Sequence, residues 1–131
     1  MDASTHTTSK RLRIFLVENH FDTRKYLTLY LEQLGHTIAY AQSMEEALAA
    51  IPGGSWDLLI SDIGLPDGDG WELMKRLGNS RPRNAVAISG FGMTSDTEKS
   101  MAVGYRDHLI KPVNLEEFDR ILFEVGRDQK V

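Results

Sequence analysis

Five polar residues stand at the ends of short apolar runs that lie far apart in the chain. Glu18 and Asn19 follow RLRIFLV, Asp62 follows WDLLIS, Ser89 ends AVAIS, and Lys111 follows DHLI and precedes Pro112. Together these groups suit phosphoryl transfer to a carboxylate. An aspartate is a competent nucleophile and forms an acyl phosphate. Glu18, Asn19, Asp62 and a backbone carbonyl just past Asp62 offer hard oxygen ligands to Mg²⁺, which prefers octahedral oxygen coordination and keeps some waters. Such an ion neutralises phosphate and carboxylate oxygens that otherwise repel one another. Lys111 adds positive charge, and the Ser89 hydroxyl is a hydrogen-bond donor to a phosphoryl oxygen. The chemistry is positioning and charge neutralisation, with no general base.

Only a fold brings these groups together, and the pattern of the chain specifies one. Residues 11–17 form an apolar run whose continuity predicts a strand buried on both faces. A helix is expected over residues 22–34, with Asp22 as N-cap, Tyr26, Leu27, Tyr30, Leu31 and Leu34 at helical spacing, and Gly35 as the stop. A second strand covers residues 37–41. Ser43 with Glu46 makes a capping-box pattern for the next helix, which Pro52-Gly53-Gly54 ends. Residues 56–61 read as the third strand, the loop IGLPDGDG follows, and residues 71–77 as a short helix closed by Gly78. A fourth strand is expected at 85–89, a helix with a weak apolar face at 95–103, and a fifth strand at 107–110. Asn114, with Glu117 three residues on, caps a last helix striped by Leu115, Phe118, Ile121, Leu122 and Val125. Strands alternating with helices imply right-handed crossovers and an α/β doubly wound parallel sheet covered on both faces. In such a sheet the site lies beyond the carboxyl ends of the strands, which is where the five polar residues fall.

The bulk properties narrow the classes. The 131 residues fit one domain, read as a polar tail over 1–10, a folded unit over 11–126 and a frayed end over 127–131. The absence of cysteine excludes disulfides, thiol catalysis and cysteine-ligated zinc. A net charge of −4 argues against direct nucleic-acid binding. No apolar run approaches the roughly 20 residues of a membrane helix, so membrane insertion is not expected. Asp67-Gly68-Asp69-Gly70 lacks the full calcium-loop spacing and reads as a turn. His6, His20, His36 and His108 show no metal-ligand spacing; His20, near the site, reads as a solvated loop residue more than as a group tuning access. Trp56 and Trp71 read as packing residues, Trp71 near enough to report on the site.

The ordered set LVENH, SDIGLPDGDGWEL, AISG and HLIKPVNLEEF resembles the receiver family of two-component response regulators over roughly residues 11–125. The resemblance implies a flavodoxin-like (βα)5 fold with strand order 2-1-3-4-5. It places Asp62 on the phosphoacceptor, Glu18 and Asn19 on the metal-binding pair, and the backbone carbonyl of Gly64 among the Mg²⁺ ligands. Ser89 falls on the conserved hydroxyl, Lys111 on the invariant lysine and His108 on the switch position, and the Lys111–Pro112 bond is expected to be cis. Implied partners are a histidine kinase or a histidine phosphotransfer protein. An output domain, a partner or a second copy is expected on the face formed by the fourth helix, the fifth strand and the last helix. A cytoplasmic location is implied, and a chain that catalyses its own phosphotransfer and dephosphorylation without being a conventional enzyme. A histidine followed by LIKPV also resembles receivers attached to hybrid histidine kinases.

Two positions depart from the family pattern. Asn19 stands where a carboxylate is usual, which predicts weaker Mg²⁺ binding and slower phosphotransfer; the alternative is a degenerate receiver acting as a phosphorylation-independent interaction module. His108 replaces the commoner Tyr or Phe. Two other classes share parts of the pattern. A haloacid-dehalogenase-type phosphohydrolase needs a second aspartate two residues after the nucleophile, where this chain has Gly64. A flavodoxin needs a Ser/Thr-rich phosphate loop after the first strand, where this chain has Glu18-Asn19-His20-Phe21.

Overall fold

The computed structural model describes residues 10–90 and 94–128. Strands β1 (Arg13–Val17), β2 (Thr37–Ala41), β3 (Leu58–Asp62), β4 (Asn84–Ser89) and β5 (Asp107–Ile110) form one parallel sheet in the order β2-β1-β3-β4-β5. This is the order 2-1-3-4-5 expected. The two central strands, LLISD and NAVAIS, are buried at every residue. A strand covered on both faces has no use for alternation, which is why these runs read as continuously apolar. Apart from Asn84 at the start of β4, their polar residues stand at the carboxyl ends, in Ser61, Asp62 and Ser89.

The helices are α1 (Phe21–Gln33), α2 (Met44–Ala50), α3 (Gly70–Leu77), α4 (Thr94–Ala102) and α5 (Leu115–Asp128). One face of the sheet packs Phe15, Val17, Leu59, Ala85 and Ala87 against Met44 and Ala47 of α2 and Leu73, Met74 and Leu77 of α3. The other packs Ile14, Leu16, Leu58, Ile60, Val86 and Ile88 against Leu27 and Leu31 of α1 and Phe118, Ile121, Leu122 and Val125 of α5. Helices thus cover both faces, and the sheet's own ends are left to carry the polar groups.

The elements differ from the sequence reading at their edges. β1 begins at Arg13 and β3 at Leu58; Trp56 instead packs edge-on against Phe15, ring centroids 5.2 Å apart. Helix α1 begins at Phe21, not Asp22. His20 is its N-cap in extended conformation, and the first helical bond runs from the Arg24 N–H to the His20 carbonyl (3.0 Å). Asp22 is not the cap; it lies in the first turn, where its charge complements the helix dipole. The buried face of α1 is Arg24, Leu27 and Leu31, whereas Tyr26 and Leu34 are exposed. The capping box of α2 is shifted: Ser43 accepts from the Glu46 N–H, but the Glu46 carboxylate accepts from Gln42. Asn114 caps α5 by accepting from the Glu117 N–H, and the Lys111–Pro112 bond is cis, both as expected. The tail through residue 9, Phe91 and residues 129–131 lie outside the described residues, while α5 continues to Asp128.

The loop IGLPDGDG has more order than a turn. Gly64–Leu65 pairs antiparallel with Gly68–Asp69. The Asp67 carboxylate accepts from the N–H groups of Met44 and Glu45 at 2.8 and 2.9 Å and so caps α2. Asp69 caps α3 by accepting from the Glu72 N–H at 2.7 Å. Between them, Gly70 sits so close to β3 that a Cβ there would lie 2.8 Å from the Asp62 carbonyl oxygen. Only glycine permits that approach.

Candidate phosphoacceptor site

β1 and β3 are neighbours, so their carboxyl ends bring Glu18 beside Asp62; β4 and β5 deliver Ser89 and Lys111 to the same edge. Glu18 is fully buried and Asp62 is 4% exposed. The Lys111 ammonium donates to Asp62 Oδ2 at 2.7 Å and makes an ion pair with Glu18 Oε1 at 3.0 Å. The other Asp62 oxygen accepts from the Gly64 N–H at 3.1 Å. The backbone that carries Glu18 is fixed from below by Arg24, which is itself buried. Its Nη1 donates to the Glu18 carbonyl at 3.0 Å, and its guanidinium lies over the Tyr40 ring at 4.9 Å.

The two carboxylates are driven apart electrostatically. Burial raises the Asp62 pKa, and the Glu18 charge adds to that, against the opposing pull of Lys111 and the Gly64 N–H. Burial also acts to raise Glu18, but the His20 N–H, Lys111 and the His20 ring outweigh it and hold Glu18 below the ordinary carboxylate range. Burial works against the charged form of Lys111, yet its bonds to both acids win and its pKa is raised. The resting site is therefore two carboxylates sharing one ammonium, with Glu18 the more firmly ionised.

A cleft of about 380 Å³ opens over Asp62, lined among others by His20, Gly64, Trp71, Ser89, His108 and Lys111. Ser89 Oγ lies 2.9 Å from His108 Nε2, His108 Nδ1 lies 2.7 Å from Ser100 Oγ on α4, and the Trp71 indole of α3 donates to that same hydroxyl at 2.9 Å. His108 is already turned in and half-buried. Gly64 meets Asp62 through its N–H. Asn19 is half-buried and absent from the cleft lining; its Oδ1 is buried and has no hydrogen-bond partner among the described residues.

His20, read from sequence as a solvated loop residue, is 65% exposed at its side chain but aims Nδ1 at the acids, 3.0 Å from Glu18 Oε2 and 3.8 Å from Asp62 Oδ2. Its own N–H donates to the same Glu18 oxygen at 3.0 Å. Glu18, His20 and Asp62 each present a ligand atom within 4.8 Å of the others. This set of two carboxylates and an imidazole fits a divalent cation. Arg24 and Ser100 also serve the site and carried no signal in the sequence beyond their presence, whereas Gly70 stood in the motif that carried the resemblance.

The sequence profile of the response regulator receiver domain matches residues 14–123. A 14.6 kDa protein encoded in the sodA1 3′ region of Leptolyngbya boryana is 31% identical over 88% of this chain and 90% of its own. The transcriptional regulatory protein TcrA of Mycobacterium tuberculosis is 33% identical over 81% of this chain, which spans 42% of TcrA's length. Among solved structures, a two-component response regulator from Clostridium difficile superposes with a TM-score of 0.87 at 29% identity, covering 92% of this chain and all of that one. With the sheet order, the strand-end carboxylates and the lysine in place, these matches show that the chain belongs to the response regulator receiver family of two-component signalling.

Proposed function

We propose that Asp62 accepts a phosphoryl group from a phosphohistidine on a histidine kinase or a histidine phosphotransfer protein, and that the modification switches a docking face. The observation that carries this reading is the Lys111–Asp62 contact of 2.7 Å at the floor of an open cleft. A lone pair on an Asp62 carboxylate oxygen attacks phosphorus, the P–N bond of the donor breaks, and the pair returns to the donor imidazole, which takes a proton from solvent. Lys111 orients the carboxylate and then balances the charge of the phosphoryl group. Glu18, Asn19, Asp62 and the Gly64 carbonyl would hold Mg²⁺. Bound there, the ion supplies neutralisation of phosphoryl and carboxylate charge.

A phosphoryl group on Asp62 brings roughly −2 charge and new acceptor oxygens. Ser89 and Lys111 turn toward them, so Ser89 leaves His108. The change passes through Ser100 to α4 and through Trp71 to α3. Met101 on α4, Ile110 on β5 and Phe123 on α5 are exposed apolar residues, and they support this face as the one read by an output domain, a partner or a second copy. Intact mass after incubation with acetyl phosphate and Mg²⁺ tests the proposal: one labile phosphoryl group is expected on the wild-type chain and none on Asp62→Asn. No gain, repeated with a phosphohistidine donor, supports instead the alternative that Asn19 raises, an interaction module that works without phosphorylation.

A further inference from the structure

The exposed ring of His20 makes an arrangement that its solvation does not explain. Glu18 Oε2 already accepts from the His20 backbone N–H, so the carboxylate needs no second donor from the same residue. The ring nonetheless lies across the mouth of the site with Nδ1 facing two carboxylates. Holding an exposed side chain in one rotamer costs conformational entropy. The backbone beneath it is fixed, because His20 is the N-cap of α1 and its carbonyl closes the first helical bond.

The three ligand atoms lie close enough together to surround one ion. Two donors about 2.1 Å from a cation on adjacent octahedral vertices lie roughly 3.0 Å apart, and on opposite vertices about 4.2 Å apart. His20 Nδ1 is 3.0 Å from Glu18 Oε2 and 3.8 Å from Asp62 Oδ2, between those limits. Two further features bear on which ion. Asn19 supplies an amide oxygen with no charge, which weakens the hold on Mg²⁺, an ion bound through hard anionic oxygens. Imidazole nitrogen contributes little to Mg²⁺ but binds the later first-row divalent ions well, with affinity rising from Mn²⁺ through Co²⁺.

We infer that His20 is a metal ligand of this site and turns its preference from Mg²⁺ toward first-row transition-metal ions. The inference deepens the metal-assisted reading above and rests on it.

The test is calorimetric titration of the full chain with Mg²⁺ and with Co²⁺, for the wild type and His20→Ala, together with pulsed EPR of the Mn²⁺ complex. His20 is exposed, so the variant is expected to fold, and circular dichroism checks this. Expected is a fall in Co²⁺ affinity of about tenfold or more in His20→Ala, with Mg²⁺ affinity changed by less than about threefold. Expected also is a ¹⁴N coupling to Mn²⁺ in the wild type that disappears in the variant. An unchanged Co²⁺-to-Mg²⁺ ratio, a missing nitrogen coupling in the wild type, or a coupling that persists in His20→Ala overturns the inference. Phosphorylation of wild type and His20→Ala with acetyl phosphate and Mg²⁺, run in parallel, separates the two claims. Labelling of both chains alongside any of those negative results removes His20 as a ligand and leaves Asp62 standing as the acceptor.

Discussion

His108 Nε2 lies 2.9 Å from the Ser89 hydroxyl, so the residue at the proposed switch position is bonded to the hydroxyl proposed to turn toward a phosphoryl group on Asp62. The imidazole has two usable nitrogens, and the second reaches Ser100 on α4. A phenylalanine in this place makes neither bond. The histidine therefore links the strand-end hydroxyl to two helices, because the Trp71 indole shares the Ser100 hydroxyl.

That chain predicts an optical signal. In a Trp56→Phe background, phosphorylation with acetyl phosphate and Mg²⁺ is expected to change the emission of Trp71. Asp62→Asn should abolish the change, and Ser100→Ala should reduce it by more than about half while leaving phosphorylation intact, since it removes the Trp71 partner. Emission that responds equally well in Ser100→Ala would break the proposed path from Ser89 to α3.

Asp62 is expected to cost stability when ionised. Its folded pKa is raised, chiefly by burial and then by Glu18, so its contribution is favourable below the unfolded carboxylate pKa and is lost as pH rises through the folded value. Asp62→Asn keeps the shape and removes the like-charge contact with Glu18. It should raise stability at pH 7 by about 1 kcal/mol, and the gain should shrink toward acid pH. Urea midpoints of both proteins at pH 7 and pH 4 measure this. A variant less stable than wild type at pH 7 would mean that the lost Lys111 bond outweighs the relief.

Gly70 couples the loop to the acceptor strand. A Cβ at this position meets the Asp62 carbonyl oxygen at 2.8 Å and both Ile63 Cδ1 and Tyr105 Oη at 3.0 Å. Backbone cannot give way as a side-chain end does. Gly70→Ala is expected to lose about 1–3 kcal/mol and to slow labelling by acetyl phosphate, because the strain falls on Asp62, the proposed acceptor. Chemical denaturation and the labelling rate are the two measurements. A variant with wild-type stability and rate would show that α3 withdraws from β3 at no cost.

How much of this was open to inspection in the sequence depends on where each residue's partner lies. The runs LLIS and AVAIS announce buried parallel strands through composition alone, and Asp62 and Lys111 follow from standing at the ends of such runs. Asn114 and Ser43 have partners three residues away, so their caps are visible as local patterns. Asp67 caps a helix that begins 23 residues earlier in the chain, and no local pattern announces such a bond. Arg24 presents a charge on what periodicity marks as the face between apolar positions. Its burial is legible only once Glu18 and Tyr40 surround it. The mistaken cap at Asp22 has the same origin: a good capping residue was present, but the path out of β1 set the first helical bond at His20. His20 itself shows no ligand spacing because its companion Asp62 is supplied by another strand.

His36 makes a second pH-sensitive contact, at the opposite end of β1. Its Nδ1 accepts from the Leu12 N–H at 3.0 Å, and the residue is only 9% exposed. An accepting Nδ1 must be unprotonated, and burial lowers the pKa below that of a free histidine. The sign follows from linkage. A depressed folded pKa contributes stability that is complete above the unfolded value near 6.5 and is lost as pH falls through the folded one. Wild-type stability is therefore expected to fall as pH drops below about 6.5. His36→Phe fills the space without titrating but leaves the Leu12 N–H unsatisfied, which should cost about 1–3 kcal/mol at pH 7.5. Its stability should then vary less over the acid range than that of wild type. Urea denaturation of both proteins from pH 7.5 to pH 5 provides the comparison, and parallel pH profiles would show that the acid loss does not arise at His36.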